Sequence, residues 1–230
     1  HYSLGNNKYP HDVEKAYEYF NQACSAGNDE ACGLLGANII GQNKDIAHGM
    51  QLLETACDHG STVSCINIAT HSLVGPKELW NPKRAKQLLE DNCKSSSTAC
   101  LELGRLYLNG LGVPVNAKAS FPYFSAACDG HIPEGCANLG DLYAKGHVGL
   151  VDHAEAFQLY DKACHSASIY APACAYVGQL LVVGKGVTKN DREAIRHYEL
   201  ACNAGLLEAC KRAQALTVGP SGLSTDRSAH

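Results

Sequence analysis

Twelve cysteines fall into six close pairs along this chain, and no other feature of the sequence constrains its fold as strongly. The pairs are Cys24 and Cys32, Cys57 and Cys65, Cys93 and Cys100, Cys128 and Cys136, Cys164 and Cys174, and Cys202 and Cys210. First members of successive pairs stand 33, 36, 35, 36 and 38 residues apart, so a unit of about 35 residues repeats. A fixed period in that range marks a repeat array, in which each unit buries its apolar face only against its neighbours. The 230 residues then read as a single repeat domain over 1–217 rather than as two globular ones.

Buried free thiols are ordinary core residues, but unconstrained core thiols would not keep one spacing through six units. Zinc sites place about two to four residues between paired ligands and bring histidines into register; neither pattern occurs. The spacing therefore points to disulfides and to an oxidising compartment: secreted, periplasmic, or a comparable organelle space. A net charge of −4 and the lack of any Lys/Arg cluster give no attraction to nucleic acid. No apolar run approaches the length of a membrane span. The opening His1-Tyr2-Ser3-Leu4-Gly5 has no Met, basic start or apolar core, as expected of a mature or trimmed chain or of one that begins inside a repeat.

Helical periodicity fills the spaces between the cysteines. Asp12 is a suitable N-cap, after which Val13, Ala16, Tyr17, Phe20 and Cys24 share one helix face. A turn at Ala26-Gly27-Asn28 leads to a second helix from Glu30 to Ile40, with Gly41 expected to end it. We call the first type B and the second A. Further B helices are expected from near Asp45, Asn81, Asn116, Asp152 and Asp191, the start at Asn81-Pro82 pairing a cap with Pro at the first helical position. A helices are expected near 61–74, 96–109, 132–145, 170–183 and 206–217, with Gly110, Gly146, Gly184 and Gly219 as terminators. No stretch alternates convincingly as a strand, so the fold class is all-α. Gly75 to Trp80 is an added loop holding the sole Trp, and 218–230 has little to bury and is expected to be a disordered tail.

Leu103-Gly104-Arg105-Leu106-Tyr107-Leu108-Asn109-Gly110-Leu111-Gly112-Val113, followed by Ala119, Tyr123-Phe124 and Ala126-Ala127, resembles the Sel1-like repeat. The same set returns at Leu139-Gly140-Asp141-Leu142-Tyr143-Ala144-Lys145-Gly146 with Ala154, Ala156, Tyr160 and Ala163. It returns again at Val177-Gly178-Gln179-Leu180-Leu181 and Gly184-Lys185-Gly186-Val187 with Asp191, Ala194, Tyr198 and Ala201. The resemblance runs from residue 3 to about 217 and implies an α/α superhelical solenoid of about six tetratricopeptide-like helix pairs. Repeats lie near 1–25, 28–58, 61–93, 96–129, 132–165 and 170–203, with a final helix at 206–217. With a cysteine pair per repeat, the chain is most similar to the Helicobacter cysteine-rich proteins. It also resembles the cysteine-rich Sel1-like assembly factor for cytochrome c oxidase, which implies the mitochondrial intermembrane space as an alternative compartment. The family pattern implies that each disulfide ties the end of a B helix to the start of the next A helix. Repeat 61–93 departs most, with Ile68-Ala69 in place of Leu-Gly and Ser72 in place of Tyr.

Aligned on their cysteine, the A helices separate into two faces. Positions three, four and seven after it hold Leu35/Gly36/Ile39, Leu103/Gly104/Tyr107, Leu139/Gly140/Tyr143 and Val177/Gly178/Leu181, a packing face. Positions two and five hold Leu34/Ala37, Asn67/Thr70, Glu102/Arg105, Asn138/Asp141, Tyr176/Gln179 and Arg212/Ala215, which differ in every repeat. Asn67, Glu102, Arg105, Asn138, Asp141, Tyr176, Gln179 and Arg212 are the candidate groove. Resemblance to tetratricopeptide-like solenoids implies that they line a concave side taking a protein or peptide ligand, on a chain expected to be monomeric.

Catalysis is not expected. Resemblance to the Helicobacter proteins implies weak penicillin binding or β-lactamase activity as an alternative. No Ser has Lys three residues on, however, and neither Ser-Asp-Asn nor Lys-Thr-Gly occurs. Redox catalysis would call for Cys-x-x-Cys, which is missing. The eleven histidines are scattered; His59 and His131 fall in turns, and His147 and His153 flank one loop beside Asp152. No metal site and no cofactor are expected.

Overall fold

The computed structural model describes residues 13–218. Asp12, Gly219 and the expected tail beyond Val218 lie outside the described residues. Helices account for most of what is described: α1 Val13–Ser25, α2 Asp29–Gly41, α3 Ile46–Asp58, α4 Thr62–Val74, α5 Pro82–Cys93, α6 Ser97–Asn109, α7 Ala117–Asp129, α8 Pro133–Ala144, α9 His153–Cys164, α10 Ala171–Val183, α11 Asp191–Asn203 and α12 Leu207–Val218. Among the described residues there is no strand, and none of these helices is long and apolar enough to cross a membrane.

Most helix starts are set by polar caps. The side chains of Asn28, Asp45, Ser61, Asn81, Ser96, Asn116, Asp152 and Asn190 each accept a hydrogen bond from a backbone N–H in the first helical turn. Asn190 caps α11, whose first helical residue is Asp191, where the start was expected. Gly110 and Gly184 end α6 and α10 in the left-handed conformation, as expected. Gly41 does not end α2 in that way. It is the last helical residue, and the left-handed turn falls instead on Asn43 (φ 52°), a residue type that tolerates it. At the end of α8 the cap position is Lys145, with Gly146 following at φ 68°.

The described residues divide into two compact units, 13–106 with 110–114, and 107–109 with 115–218. In the first, α1 packs on α2, α2 on α3, α3 on α4 and α4 on α5, and α2 also touches α4. Ile40, Leu53 and Ile68 form a buried cluster there, surrounded by Ala37, Met50, Cys57, Leu79 and Leu88. Each of the three large side chains contributes about 1.5–3 kcal/mol on burial. Leu79 belongs to the added loop, where Lys77–Leu79 form a short 3-10 turn. The loop is thereby anchored by Leu79, while Trp80 remains 53% exposed. Ile68, Ala69 and Ser72, the departures of repeat 61–93, are all buried, so that repeat keeps the common packing. In the second unit α7 to α12 likewise pack in sequence order, around Phe124, Leu142 and Val177.

Small residues let A helices approach the B helices that follow them. A Cβ placed on Gly36 of α2 would lie 2.5 Å from the carbonyl oxygen of Gly49 on α3, and one on Gly49 would lie 2.8 Å from that of Gly36. Gly140 and Gly178 serve differently, as seats for the rings of Tyr160 and Tyr198, which would come within 3.0 Å of an added Cβ. Both tyrosines are buried, whereas Tyr17, Tyr107 and Tyr143 are half-buried.

All six cysteine pairs are bridged, with Cα atoms 4.4–4.9 Å apart, and no free cysteine occurs. Each bridge joins the last turn of a B helix to the start of the following A helix, α1 to α2 through α11 to α12. The longer interval between Cys164 and Cys174 is taken up ahead of Ala171, leaving the bridge in the same place. Six bridges belong to a compartment outside the reducing cytosol.

Candidate functional site

The two faces of the A helices differ in burial, except that Tyr107 and Tyr143, at position seven of the expected packing face, are only half-buried. Leu35, Gly36 and Ile39, Leu103 and Gly104, Leu139 and Gly140, and Val177, Gly178 and Leu181 are buried. The residues two and five after each cysteine are half-buried or exposed in every A helix.

In the first unit, Asn67 and Thr70 lie half-buried on α4, where Thr70 Oγ1 donates back to the carbonyl of Ile66 at 3.0 Å. Glu102 and Arg105 on α6 form an ion pair, Nη1 donating to Oε1 at 2.8 Å. Half-exposure leaves such a pair worth about 0–1 kcal/mol to the fold.

In the second unit the groups are tied to neighbouring side chains. Asp141 on α8 accepts from Tyr160 Oη at 2.5 Å and from Lys145 Nζ at 2.6 Å. Burial first, then the Asp141 hydrogen bond and charge, hold the Tyr160 phenol far above its usual pKa. Tyr176 on α10 is 44% exposed and stacks on Tyr160, centroids 5.0 Å apart. A ring, a carboxylate and a second ring thus form one rigid polar-aromatic patch. Asn138, one turn before Asp141, keeps its Nδ2 buried without a hydrogen-bond partner. Gln179 is exposed on α10. Arg212 on α12 is exposed beside Tyr198 and Glu208; the hydrogen bond to Tyr198 is the main reason its guanidinium pKa is raised.

Two hollows also occur in the first unit. One, of about 670 Å³, is lined by Ile40, Ile46, Thr70, His71, Val74 and Glu78 among others. The other, of about 270 Å³, includes Met50, Trp80 and the Arg84–Glu54 ion pair, whose nitrogen and oxygen are 2.9 Å apart. Both border the Gly75–Trp80 insertion, and sequence alone located the insertion but not the hollows. Of the histidines weighed earlier, His59 is exposed and lies 2.9 Å from Asp29, and His131 is exposed at φ 61°. Sequence reading passed over another group: Cys164, His165 and His197 each offer a ligand atom within 4.8 Å of the others. His165 and His197 are distant in sequence, and only the register of α9 against α11 brings them together.

The sequence pattern of the Sel1 repeat matches residues 1–28, 31–61, 97–131, 133–168 and 171–206. The divergent repeat lies between the second and third of these stretches. The chain is 27% identical over 230 residues to the cytochrome c oxidase assembly factor 7 homolog of Drosophila melanogaster, covering 82% of this chain and 86% of that protein. Its fold is similar to that of a Sel1 repeat protein from Oxalobacter formigenes, with a TM-score of 0.75, 18% identity, and 92% and 94% of the two chains covered. The cysteine-rich protein B of Helicobacter pylori is 32% identical over 55% of this chain and 96% of its own, with a TM-score of 0.45.

Proposed function

Because the chain belongs to the Sel1 repeat family, we propose that it is a disulfide-stapled recognition scaffold that binds a protein or peptide outside the reducing cytosol. The observation that carries this reading is the division of each A helix into a constant buried face and an outward face whose side chains change from repeat to repeat. A fixed frame that varies only where it meets solvent is what a receptor for extended or helical peptides needs. Glu102 and Arg105 supply charge, Tyr176 an aromatic anchor, and Asn138 an amide donor left without a partner. Anchors of this kind, aromatic and Arg, are where binding energy concentrates.

Tagged protein captured from native extract under non-reducing conditions, followed by identification of what co-purifies, tests this reading. Variants Glu102→Ala/Arg105→Ala and Asn138→Ala/Tyr176→Ala, each with an intact circular dichroism spectrum, are expected to lose the partner. Full retention of the same partner by both would reject this face. Asp141 is better left in place, since its carboxylate also supports Tyr160.

A second reading is favoured by the name of the fly relative, an assembly factor for cytochrome c oxidase. On that reading the compartment is the mitochondrial intermembrane space and the partner a component of that complex. Recovery of such components in the same capture supports it; recovery of unrelated secreted or periplasmic proteins argues against it.

A further inference from the structure

The smaller of the two hollows in the first unit, of about 270 Å³, lies where α3, α5 and the loop from Gly75 to Trp80 meet. Pockets for whole small molecules run to about 300–1,000 Å³, so this one suits a single side chain of a partner. Met50 and Leu79 give it an apolar wall. Its charged groups are Glu54, Glu78 and Arg84, so the lining carries one negative charge in excess. Glu54 and Arg84 answer each other, Nη1 lying 2.9 Å from Oε1. Glu78 is exposed and, among the described residues, makes no hydrogen bond or ion pair. Trp80, the sole tryptophan, borders the same space and is 53% exposed.

The loop is fixed before anything binds. Leu79 packs against the Ile40, Leu53 and Ile68 cluster. Trp80 N–H donates to the Lys77 carbonyl at 3.2 Å, and Asn81 N–H to the Ser72 carbonyl at 3.0 Å. A frame held in this way loses little freedom on binding. The combination is also confined to this loop. Counting back from the capping residue, the places of Trp80 and Glu78 are held by Lys44 and Gln42 before α3, and by Val115 and Val113 before α7. Before α9 they are held by Val151 and Gly149, and before α11 by Lys189 and Val187. Among these loops, only the one before α5 brings an aromatic ring and a carboxylate to one concavity.

We propose that this hollow receives an arginine side chain of a protein or peptide partner, its guanidinium against the Trp80 ring and the Glu78 carboxylate and its stem along Met50 and Leu79. The proposal rests on the reading of the chain as a recognition scaffold, but on a surface other than the outward A-helix face. A guanidinium is planar, stacks on aromatic faces and pairs with a carboxylate through two N–H groups. Its methylene stem covers apolar surface, and tryptophan is the ring that attracts a cation most strongly. Arg84 repels a second cation, and its own pairing with Glu54 offsets that repulsion. A neutral or acidic side chain in the same place would leave the Glu78 charge unanswered.

The sole tryptophan lets the site report on itself. Acetyl-Ala-Arg-Ala-amide is titrated into the full, non-reduced chain while tryptophan emission is followed. The matching citrulline tripeptide, which keeps the shape and lacks the charge, is the control. The arginine peptide is expected to give a saturable change and the citrulline peptide to bind about two- to fivefold more weakly. Raising the ionic strength from about 0.01 M to about 1 M, which shortens the screening length from about 30 Å to about 3 Å, should weaken the arginine peptide alone. Glu78→Gln should narrow the gap between the two peptides, and Trp80→Ala, followed by NMR, should weaken the arginine peptide. Both side chains are exposed, so neither replacement disturbs the core. Glu102→Ala/Arg105→Ala should bind the arginine peptide as the wild type does, so loss of a captured partner in that variant bears on the A-helix face alone. No saturable change, equal affinity for the two peptides, or an arginine peptide indifferent to Glu78→Gln overturns the proposal and leaves the A-helix reading standing.

Discussion

Tyr160 Oη donates to Asp141 Oδ1 across 2.5 Å, joining the middle of α9 to α8 nineteen residues earlier. The hydroxyl belongs to a buried ring and the carboxylate to a half-exposed side chain that also holds Lys145. The two ends of the bond are therefore unequal. Asp141→Ala strands a buried hydroxyl, at a cost of about 1–3 kcal/mol, whereas Tyr160→Phe leaves a carboxylate that water and Lys145 satisfy, at about 0.5–1.5 kcal/mol. Urea unfolding of the two variants should rank Asp141→Ala as the more damaging; the reverse order would show that the bond does not support the core.

Gly36 and Gly41 lie on the same helix and should respond to alanine in opposite directions. At Gly36 the new methyl meets the Gly49 carbonyl, and overpacking of about 1–3 kcal/mol exceeds the helix-propensity gain of about 1 kcal/mol. At Gly41 no atom lies within 4 Å and the backbone is ordinary helix. Gly41→Ala is expected to stabilise by up to about 1 kcal/mol. Thermal melts of the two single variants check both signs.

Removing one bridge should cost more where the sulfurs are buried. Cys128 and Cys136 are each 2% exposed, while Cys24 and Cys32 are half-buried, and both pairs are eight residues apart. The loop-entropy part, about 2.5 kcal/mol, is thus the same for both. Replacing both cysteines of a pair by Ala adds a cavity penalty only at the buried one. Denaturant midpoints of the two double variants, non-reduced, should place the Cys128/Cys136 pair lower.

His71 gives stability a pH dependence. It lies in the last turn of α4, where the helix dipole favours the cation, but burial is the larger effect and lowers its pKa from 6.5. Glu78, the charged residue lining the same hollow, does not reverse that direction. The unfolded chain then takes up the proton first, so this contribution is complete above about pH 6.5 and is lost as pH falls below it. Between about pH 7.5 and about pH 5.5, His71→Gln should lose less stability than the wild type in paired urea titrations. Equal losses would remove His71 as the cause.

The outward face was legible at the level of position. Counting from each cysteine placed the more buried positions on one side, Tyr107 and Tyr143 excepted, since a helix of 3.6 residues per turn fixes which positions share a side. What those residues do to one another was not legible. Asp141 reads as a free carboxylate in sequence, yet it is bound to Tyr160, because its partner comes from the next helix.

By itself the sequence determined the helices, their caps and the cysteine pairing, since each rests on spacing over fewer than about a dozen residues, within reach of local geometry, and it determined the repeat through its fixed period. Even the misplaced terminator at Gly41 is an error of two residues. Tertiary structure alone decided which side chains meet across helices: the Gly36–Gly49 approach, the Leu79 anchor of the added loop, and the encounter of His165 with His197. Those contacts depend on the register of one packed helix against another, set by the summed fit of many small van der Waals contacts, and no local pattern in the chain encodes it.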